Sequence, residues 1–541
     1  MAPTSSKKVQ VRKKAWKPKT RTGCITCRIR RIKCDEARPE CGRCSTTGRK
    51  CDGYTSPAQP LPSEAHHMVV SPKSSILPMG VPVVQLGSAQ EREALYFYRQ
   101  HSAFELAGSY DSRFWQFAIP CAFHSNAAIR HAVVALATLH RKLIAGNTAV
   151  VPDDASDNQM RFALEQCNRS IRAVVTSPAE RTMTDRLHML SLTILFHFLA
   201  CIQGHQSLAF EHLRSGLRIL REVDSDIASG MDCTSEYPIS LDAIRPVFVD
   251  MDVQARGIMS DEDLAAWEPK PITEPILNEG VFKTVHQAQF YFDATFNSLV
   301  ALIQEMDVHP PKSDSEMKVF REEIERLRIQ FEAGSRLLHE FFLRQSVLVG
   351  EEARIGLQLI QSETLIFLAA ATNCRQPRET RWAPLEPEFE KIVNLAAQLY
   401  GADPWLSLPS AAACESDYDL PTDSGTLSRP VFSARSKVVP GLYVVATRSR
   451  NIALRKRAIA MLLKYPRREG VWDGVLAGRV CYEILCLEEP ASDGQTTNME
   501  ADYKIMDVAI QYTGLRGMAA ELKTERQYRE GEPGVWRHFA W

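Results

Sequence analysis

From about residue 91 onward, apolar residues recur at steps of three and four, the spacing that lines one face of an α-helix. In SNAAIRHAVVALATLHRKLIAG (125–146), Ile129, Val133, Leu136, Leu139 and Leu143 form one stripe. Ser125 or Asn126 can cap its start and Gly146 can end it. Segments near 158–175, 184–202, 206–222, 281–305, 316–345, 351–371, 388–400, 450–464 and 471–488 carry the same period. Few runs alternate with period two, and no hairpin turn signals or fixed-period repeats join them. The pattern predicts an all-α body.

Two stretches call for a choice. Met317, Phe320, Ile324, Leu327, Phe331, Gly334, Leu338 and Phe341 follow alternating steps of three and four, which fits a coiled-coil seam. Gly334 and the apolar residues beside the stripe favour the broader core face of a bundle helix. MLSLTILFHFLACI (189–202) is the most apolar run. It falls short of the ~20 residues that span a bilayer and reads as a buried helix.

Residues 53–90 break the helical pattern. Pro57, Pro60, Pro62, Pro72, Pro78 and Pro82 forbid a continuous helix and mark a linker. Residues 1–22 are basic and aperiodic. They have no apolar segment of the secretory kind, so the chain is expected to be soluble and intracellular, with reduced thiols. Basic clusters such as KKVQVRKKAWKPK (7–19) serve nuclear import and add phosphate contacts. The loop 401–425, GADPWLSLPSAAACESDYDLPTDSG, has the acidic-hydrophobic composition of a coactivator-binding segment, and also that of an ordinary solvated loop.

The formal net charge of the 541 residues is zero, but residues 1–51 carry a net +13 and the remainder −13. A basic end on an acidic body suggests an arm that binds a polyanion. Cysteine follows the same division. Six of the 14 lie between 24 and 51 at Cys24-x2-Cys27-x6-Cys34-x6-Cys41-x2-Cys44-x6-Cys51, the same gaps twice over. The other eight are scattered and read as small core residues.

A disulfide knot requires an oxidising compartment, and an iron–sulfur site usually takes four cysteines at tighter spacing. Zinc remains. Two zinc ions need eight tetrahedral ligand positions, and six thiolates supply eight only if two of them bridge. Such a module has little to pack besides Ile29 and Ile32, so its folding would depend on metal.

TGCITCRIRRIKCDEARPECGRCSTTGRKCDGY resembles the fungal binuclear zinc cluster transcription factors in cysteine count, all five gaps, the basic run after Cys27, Pro39 and the trailing Gly53-Tyr54. The resemblance implies two zinc ions on Cys24, Cys27, Cys34, Cys41, Cys44 and Cys51, with Cys24 and Cys41 bridging. It implies a short helix opened by Cys27 that points into the DNA major groove. It also makes Arg30 and Arg31, three and four residues after Cys27, the readers of a CGG triplet. Arginine can bind O6 and N7 of guanine bidentately. Arg28, Lys33, Arg43, Arg49 and Lys50 are the candidates for phosphate contacts.

AIRHAVVALATLH (128–140) and GLYVVATRSRNIALRKRAIAMLLKYPRREGVWD (441–473) resemble parts of the helical fungal-specific regulatory domain that accompanies many such modules. The expected organisation is a basic tail (1–22), a two-helix zinc cluster module (23–54), a Pro-rich linker (55–90) and an all-helical regulatory domain (91–541). Within the latter, Arg467, Arg468, Glu469 and Trp472 read as a structural ion-pair corner.

The function expected is sequence-specific regulation of RNA polymerase II genes in the nucleus, at family level those of a metabolic or secondary-metabolite pathway. Partners are double-stranded DNA with CGG-type half-sites and transcription machinery or coregulators, with no membrane. The proline-rich linker argues against a coiled coil at that place, leaving monomeric binding or a homodimer through the helical domain. The alternative is a zinc-stabilised protein-interaction regulator that does not touch DNA. No Gly-rich phosphate loop, HExxH or nucleophile elbow occurs, so no enzyme activity is expected.

Overall fold

A computed structural model describes residues 24–51 apart from 25, 28, 29, 31 and 38. It also describes 87–540 apart from 109–111, 147–155, 177–181, 231–238, 260–262, 265, 268–279, 346–348, 374–380, 404–405, 409–428, 436–437 and 489–503. The basic tail, most of the proline-rich linker and most of the acidic-hydrophobic loop lie outside the described residues. The chain divides into two compact units, Met1–Pro82 and Val83–Trp541.

The second unit is mostly helical. Its first helix, Ala89–Phe97, starts at a capping box. The Ser88 hydroxyl accepts from the Glu91 amide, and the Glu91 carboxylate accepts from the Ser88 amide. Ala127–Ala145 is capped by Asn126, whose side chain accepts from Ile129 N–H at 3.0 Å, and ends at Gly146. Asn158–Val175, Met183–Gln203, Gln206–Ala228, Val285–Val308, Asp314–Arg344, Glu351–Thr372, Glu386–Tyr400, Ile452–Lys464 and Gly474–Glu488 occupy the segments that the helical period marks. By length and composition alone Met183–Gln203 and Glu351–Thr372 are apolar enough to cross a membrane; both are mostly buried in the protein.

Two further helices of ten residues or more lie outside the segments marked above, although each carries an apolar stripe. Leu241–Arg256 holds Pro246 in its interior and buries Asp250, Asp252, Gln254 and Arg256 among its apolar residues. Val439–Arg448 has proline in its first turn, where a missing N–H costs nothing.

The main apolar core is built around Ala127–Ala145, Met183–Gln203 and the aromatic residues Tyr98, Phe114, Trp115 and Phe198. A second core lies between Val285–Val308, Asp314–Arg344 and Glu351–Thr372. Here Phe320, Ile324, Leu327, Phe331, Gly334, Leu338 and Phe341 face inward, so the three-four stripe is a core face. Gly334 is required by a close approach: a Cβ there would stand 2.3 Å from the Tyr291 ring.

Two small sheets accompany the helices. β1 (Val431–Ser433) runs parallel to β2 (Arg467–Glu469), which pairs antiparallel with β3 (Trp472–Asp473). This sheet is the ion-pair corner. Arg468 pairs with Asp473 at 2.8 Å and donates to the Ile202 carbonyl at 2.8 Å. The Glu469 carboxylate accepts from the amides of Val438 and Val439 and pairs with Arg467. Of the four residues expected at this corner, Arg468, Glu469 and Trp472 are buried and Arg467 is half-buried, and the pairings within it are internal to the fold.

The second sheet, β4 (Ile505–Gly514), β5 (Gly517–Thr524) and β6 (Val535–Ala540), is an antiparallel meander packed on Gly474–Glu488. Its first turn sets Gly514 and Arg516 at positive φ rather than using an Asn-Gly pair.

Candidate metal centre and nucleic-acid interface

Among the described residues of the cysteine region, the buried centre is made of cysteine. Its buried cluster consists of Cys24, Cys27, Cys41, Cys44 and Cys51 with Cys34 against it, while Ile32 is 40% exposed and packs little. Ile29 lies outside the described residues.

Each half begins with a helical turn that carries its second cysteine inward. In the first half Arg30 N–H donates to the Thr26 carbonyl and Ile32 N–H to that of Cys27, both at 3.1 Å. In the second, the helix Gly42–Ser45 follows Cys41 and buries Cys44, and Thr46 Oγ1 closes on the Gly42 carbonyl at 2.6 Å. The halves also match at their outer cysteines. Cys24 N–H donates to Cys34 Sγ and Cys41 N–H to Cys51 Sγ, each at 3.5 Å. The doubled spacing in the sequence is thus a doubled arrangement of backbone and sulfur.

The sulfur atoms fall into two groups of four, Cys24-Cys27-Cys34-Cys41 and Cys24-Cys41-Cys44-Cys51, each with all atoms within 4.8 Å of one another. Cys24 and Cys41 occur in both. Cys27 and Cys44, which belong to different groups, stand 3.9 Å apart. Within the groups the short separations are 3.5 Å (Cys24–Cys41), 3.6 Å (Cys27–Cys41) and 3.9 Å (Cys24–Cys44). A zinc–sulfur distance of ~2.3 Å puts the sulfurs of a tetrahedron ~3.8 Å apart, so these separations fit zinc. Burial pushes the thiols of Cys27, Cys41 and Cys44 up from their ordinary range. Left to themselves they stay protonated, and these cysteines would hold a divalent metal as thiolates.

Of the remaining described cysteines, Cys201 and Cys481 belong to the core and Cys167 packs against it, whereas Cys121 and Cys486 do not join it. Cys201 and Cys481 are buried, and Cys121, Cys167 and Cys486 are half-buried. None joins a metal-competent group among the described residues. Cys233, Cys374 and Cys414 lie outside the described residues.

Lys33, Arg43, Arg49 and Lys50 are exposed. Arg30 is half-buried, and its Nη1 donates to Thr47 Oγ1 in the other half at 3.4 Å. Arg28 and Arg31 lie outside the described residues. Two threonines that the sequence reading passed over stitch the halves together: Thr47 through Arg30, and Thr26, whose hydroxyl donates to the Lys50 carbonyl at 3.4 Å. Both sit within three residues of a ligand cysteine, the one signal that marks them. Glu36 adopts a positive φ of 59° after Cys34 and donates its N–H to Cys34 Sγ at 3.4 Å.

Residues 22–61 match the fungal Zn(2)-Cys(6) binuclear cluster domain. The chain is 27% identical to the aspercryptin biosynthesis cluster-specific transcription regulator atnN of Emericella nidulans, over 88% of each chain. It is 26% identical to the Zn(2)-C6 fungal-type transcription factor afumD of Aspergillus fumigatus, over 38% of this chain and 52% of that one. To the transcriptional regulatory protein moc3 of Schizosaccharomyces pombe it is 42% identical, over 13% of this chain and 14% of the relative. No solved structure matches the chain.

Proposed function

For a chain that belongs to the fungal Zn(2)-Cys(6) binuclear cluster transcription regulators, with two zinc ions on its cysteine module and no enzymatic role, we propose sequence-specific binding of CGG-type triplets. Cys24 and Cys41 bridge the two ions. Cys27 and Cys34 complete one tetrahedron, and Cys44 and Cys51 the other. Arg30 and Arg31 read guanines in the major groove, and Arg28, Lys33, Arg43, Arg49 and Lys50 hold phosphates.

The observation that carries this reading is the sharing of Cys24 and Cys41 between two four-sulfur groups beneath exposed basic residues. Zinc supplies charge balance and shape only. Two divalent ions offset most of the charge of six thiolates, leaving about −2 in formal count, so the basic side chains are free to meet an external polyanion, and a rigid scaffold fixes their direction. The tail 1–22 serves nuclear import and non-specific phosphate contact, the linker 55–90 separates the module from the body, and the body from 91 regulates. The named role of atnN supports control of a secondary-metabolite gene cluster in the nucleus.

The test is binding of the full chain to a CGG-containing duplex and to a scrambled one at moderate salt. A clear preference for CGG is expected, and Arg31→Ala should reduce it by about 1–3 kcal/mol while both zinc ions stay bound. Equal binding of the two duplexes would overturn the reading in favour of a zinc-stabilised protein-interaction module. An unchanged preference in Arg31→Ala would remove that residue from base reading.

A further inference from the structure

The helical body encloses a cavity of about 420 Å³ between Leu241–Arg256, Val285–Val308, Glu351–Thr372, Val439–Arg448 and β3. This is the size of an ordinary small-molecule site. Phe296, Ile360, Phe367, Trp382, Tyr443 and Trp472 provide apolar and aromatic walls. Tyr443 meets Trp472 edge-on at 5.5 Å, and Phe296 meets Phe367 at 5.3 Å.

Asp250, Asp293 and Glu363 line the same space. Asp293 is held by Arg435 at 3.0 Å, and Asp250 accepts from Gln254 Nε2 at 3.1 Å. Glu363 differs. It is 7% exposed, and its Oε1 has no hydrogen-bond partner. Its carboxyl lies so close to the first turn of Val439–Arg448 that a Cβ at Gly441 would stand 2.5 Å from Oε1. Burial, with Glu469 and Asp293 nearby, pushes Glu363 well above the ordinary carboxylate range. Desolvation, to which the neighbouring carboxylates add and against which only the Gly441 amide acts, disfavours the ionised acid, and the charge of an incoming cation would offset it.

The guanidiniums facing the cavity are already engaged. Arg256 pairs with Asp252 at 2.9 Å and donates to Gln304. Arg448 donates to the Met506 carbonyl and lies over the Trp382 ring. Arg381 also has a partner. An anion would find no free donor among them, whereas a cation would find a carboxyl oxygen in want of one and the faces of several aromatic rings.

We propose that this cavity is a binding site for an apolar organic cation, a primary or secondary amine on an aryl or alkyl body, whose ammonium group is received by Glu363. The bland alternative is a packing defect with a buried acid, and it predicts no preference among probes of equal size. The site lies wholly within the body and stands independently of what the cysteine module reads.

Isothermal titration of the full chain with 4-phenylbutylamine, 4-phenylbutan-1-ol and 4-phenylbutanoate tests this. The amine should bind at least tenfold tighter than the alcohol, and the carboxylate weakest. Glu363→Gln should remove the amine's advantage and leave alcohol binding within threefold. Ala370→Trp, at a half-buried wall position, should abolish all three, which locates the site even if the Glu363 variant fails to fold. Tighter binding of the carboxylate, no binding of any probe, equal binding of all three, or an undiminished amine preference in a folded Glu363→Gln variant would each overturn the proposal.

Discussion

The cysteine module and the helical body solve the same problem by opposite means. The body buries Phe292, Phe341, Trp115 and dozens of aliphatic residues, and draws its stability from apolar area removed from water. Among the described residues the module leaves Ile32 at the surface and buries cysteine alone at its centre. Below about 40 residues a chain cannot bury enough apolar area to fold, so metal–sulfur bonds must take over. A core of that kind is small, rigid and polar outside, which suits a surface whose task is to hold charge in fixed directions. What the comparison teaches is that the two units should fail independently and by different agents.

The largest effect should come from Cys34→Ala. The loss of one thiolate leaves the Cys24-Cys27-Cys34-Cys41 group one ligand short, and the shared Cys24 and Cys41 carry that loss to the other group. DNA affinity should drop at least a hundredfold and zinc should leave, while the thermal unfolding of the body remains as in the parent chain. Zinc analysis and calorimetry check this; retention of two zinc ions would break the contrast. The reverse test is Phe292→Ala. Phe292 is fully buried and packs edge-on to Phe331 at 6.1 Å. Its truncation should cost the body about 3–5 kcal/mol, read from denaturant midpoints, with zinc content unchanged.

A smaller effect concerns pH. His197 is fully buried, its Nδ1 is 2.9 Å from the Ala209 carbonyl, and burial lowers its pKa from 6.5 to about 4. In the unfolded chain it takes up a proton near 6.5, which the folded body refuses until about 4. Stability is therefore complete above 6.5 and is lost as pH falls towards 4. Asp293 acts in the opposite sense. Burial raises it to about 6, so the folded body holds a proton there that the unfolded chain gives up, and it gains stability over part of the same range. Comparison with His197→Gln isolates the histidine. Between pH 7.5 and 5 the parent should lose about 2 kcal/mol more than the variant. Parallel pH curves for the two proteins would show that His197 does not carry the effect.

Much of this was legible before any coordinates. Asp314–Arg344 announces itself through apolar period, because it buries one continuous face, and Met183–Gln203 through a run of apolar residues that is buried nearly all round. Leu241–Arg256 has a stripe of its own in Ile244, Val247, Phe248, Met251 and Ala255, but Pro246 interrupts it and Asp250, Asp252, Gln254 and Arg256 are buried beside it, paired with one another and, for Gln254, with the Ala434 carbonyl. The β4–β5–β6 meander is silent. Its first turn uses Gly514 and Arg516 at positive φ, and β6 exposes every second residue only in part. At the metal centre, ligand arithmetic already required two shared thiolates, and the resemblance named Cys24 and Cys41. The cross-links through Thr26 and Thr47 had no such arithmetic behind them. Glu363 was invisible for a related reason: a lone acid in an apolar helix says nothing until the surrounding elements show what it lacks.

The central claim is that metal alone shapes the surface that meets DNA, while the body stands by itself. Stepwise chelation of zinc from the full chain, with DNA binding and circular dichroism followed together, tests it most directly. Two zinc ions should be removed per chain, DNA binding should vanish with them and return on re-addition, and the helical signal and its melting temperature should not move. DNA binding that survives complete chelation, or a body that unfolds with the metal, would contradict the account.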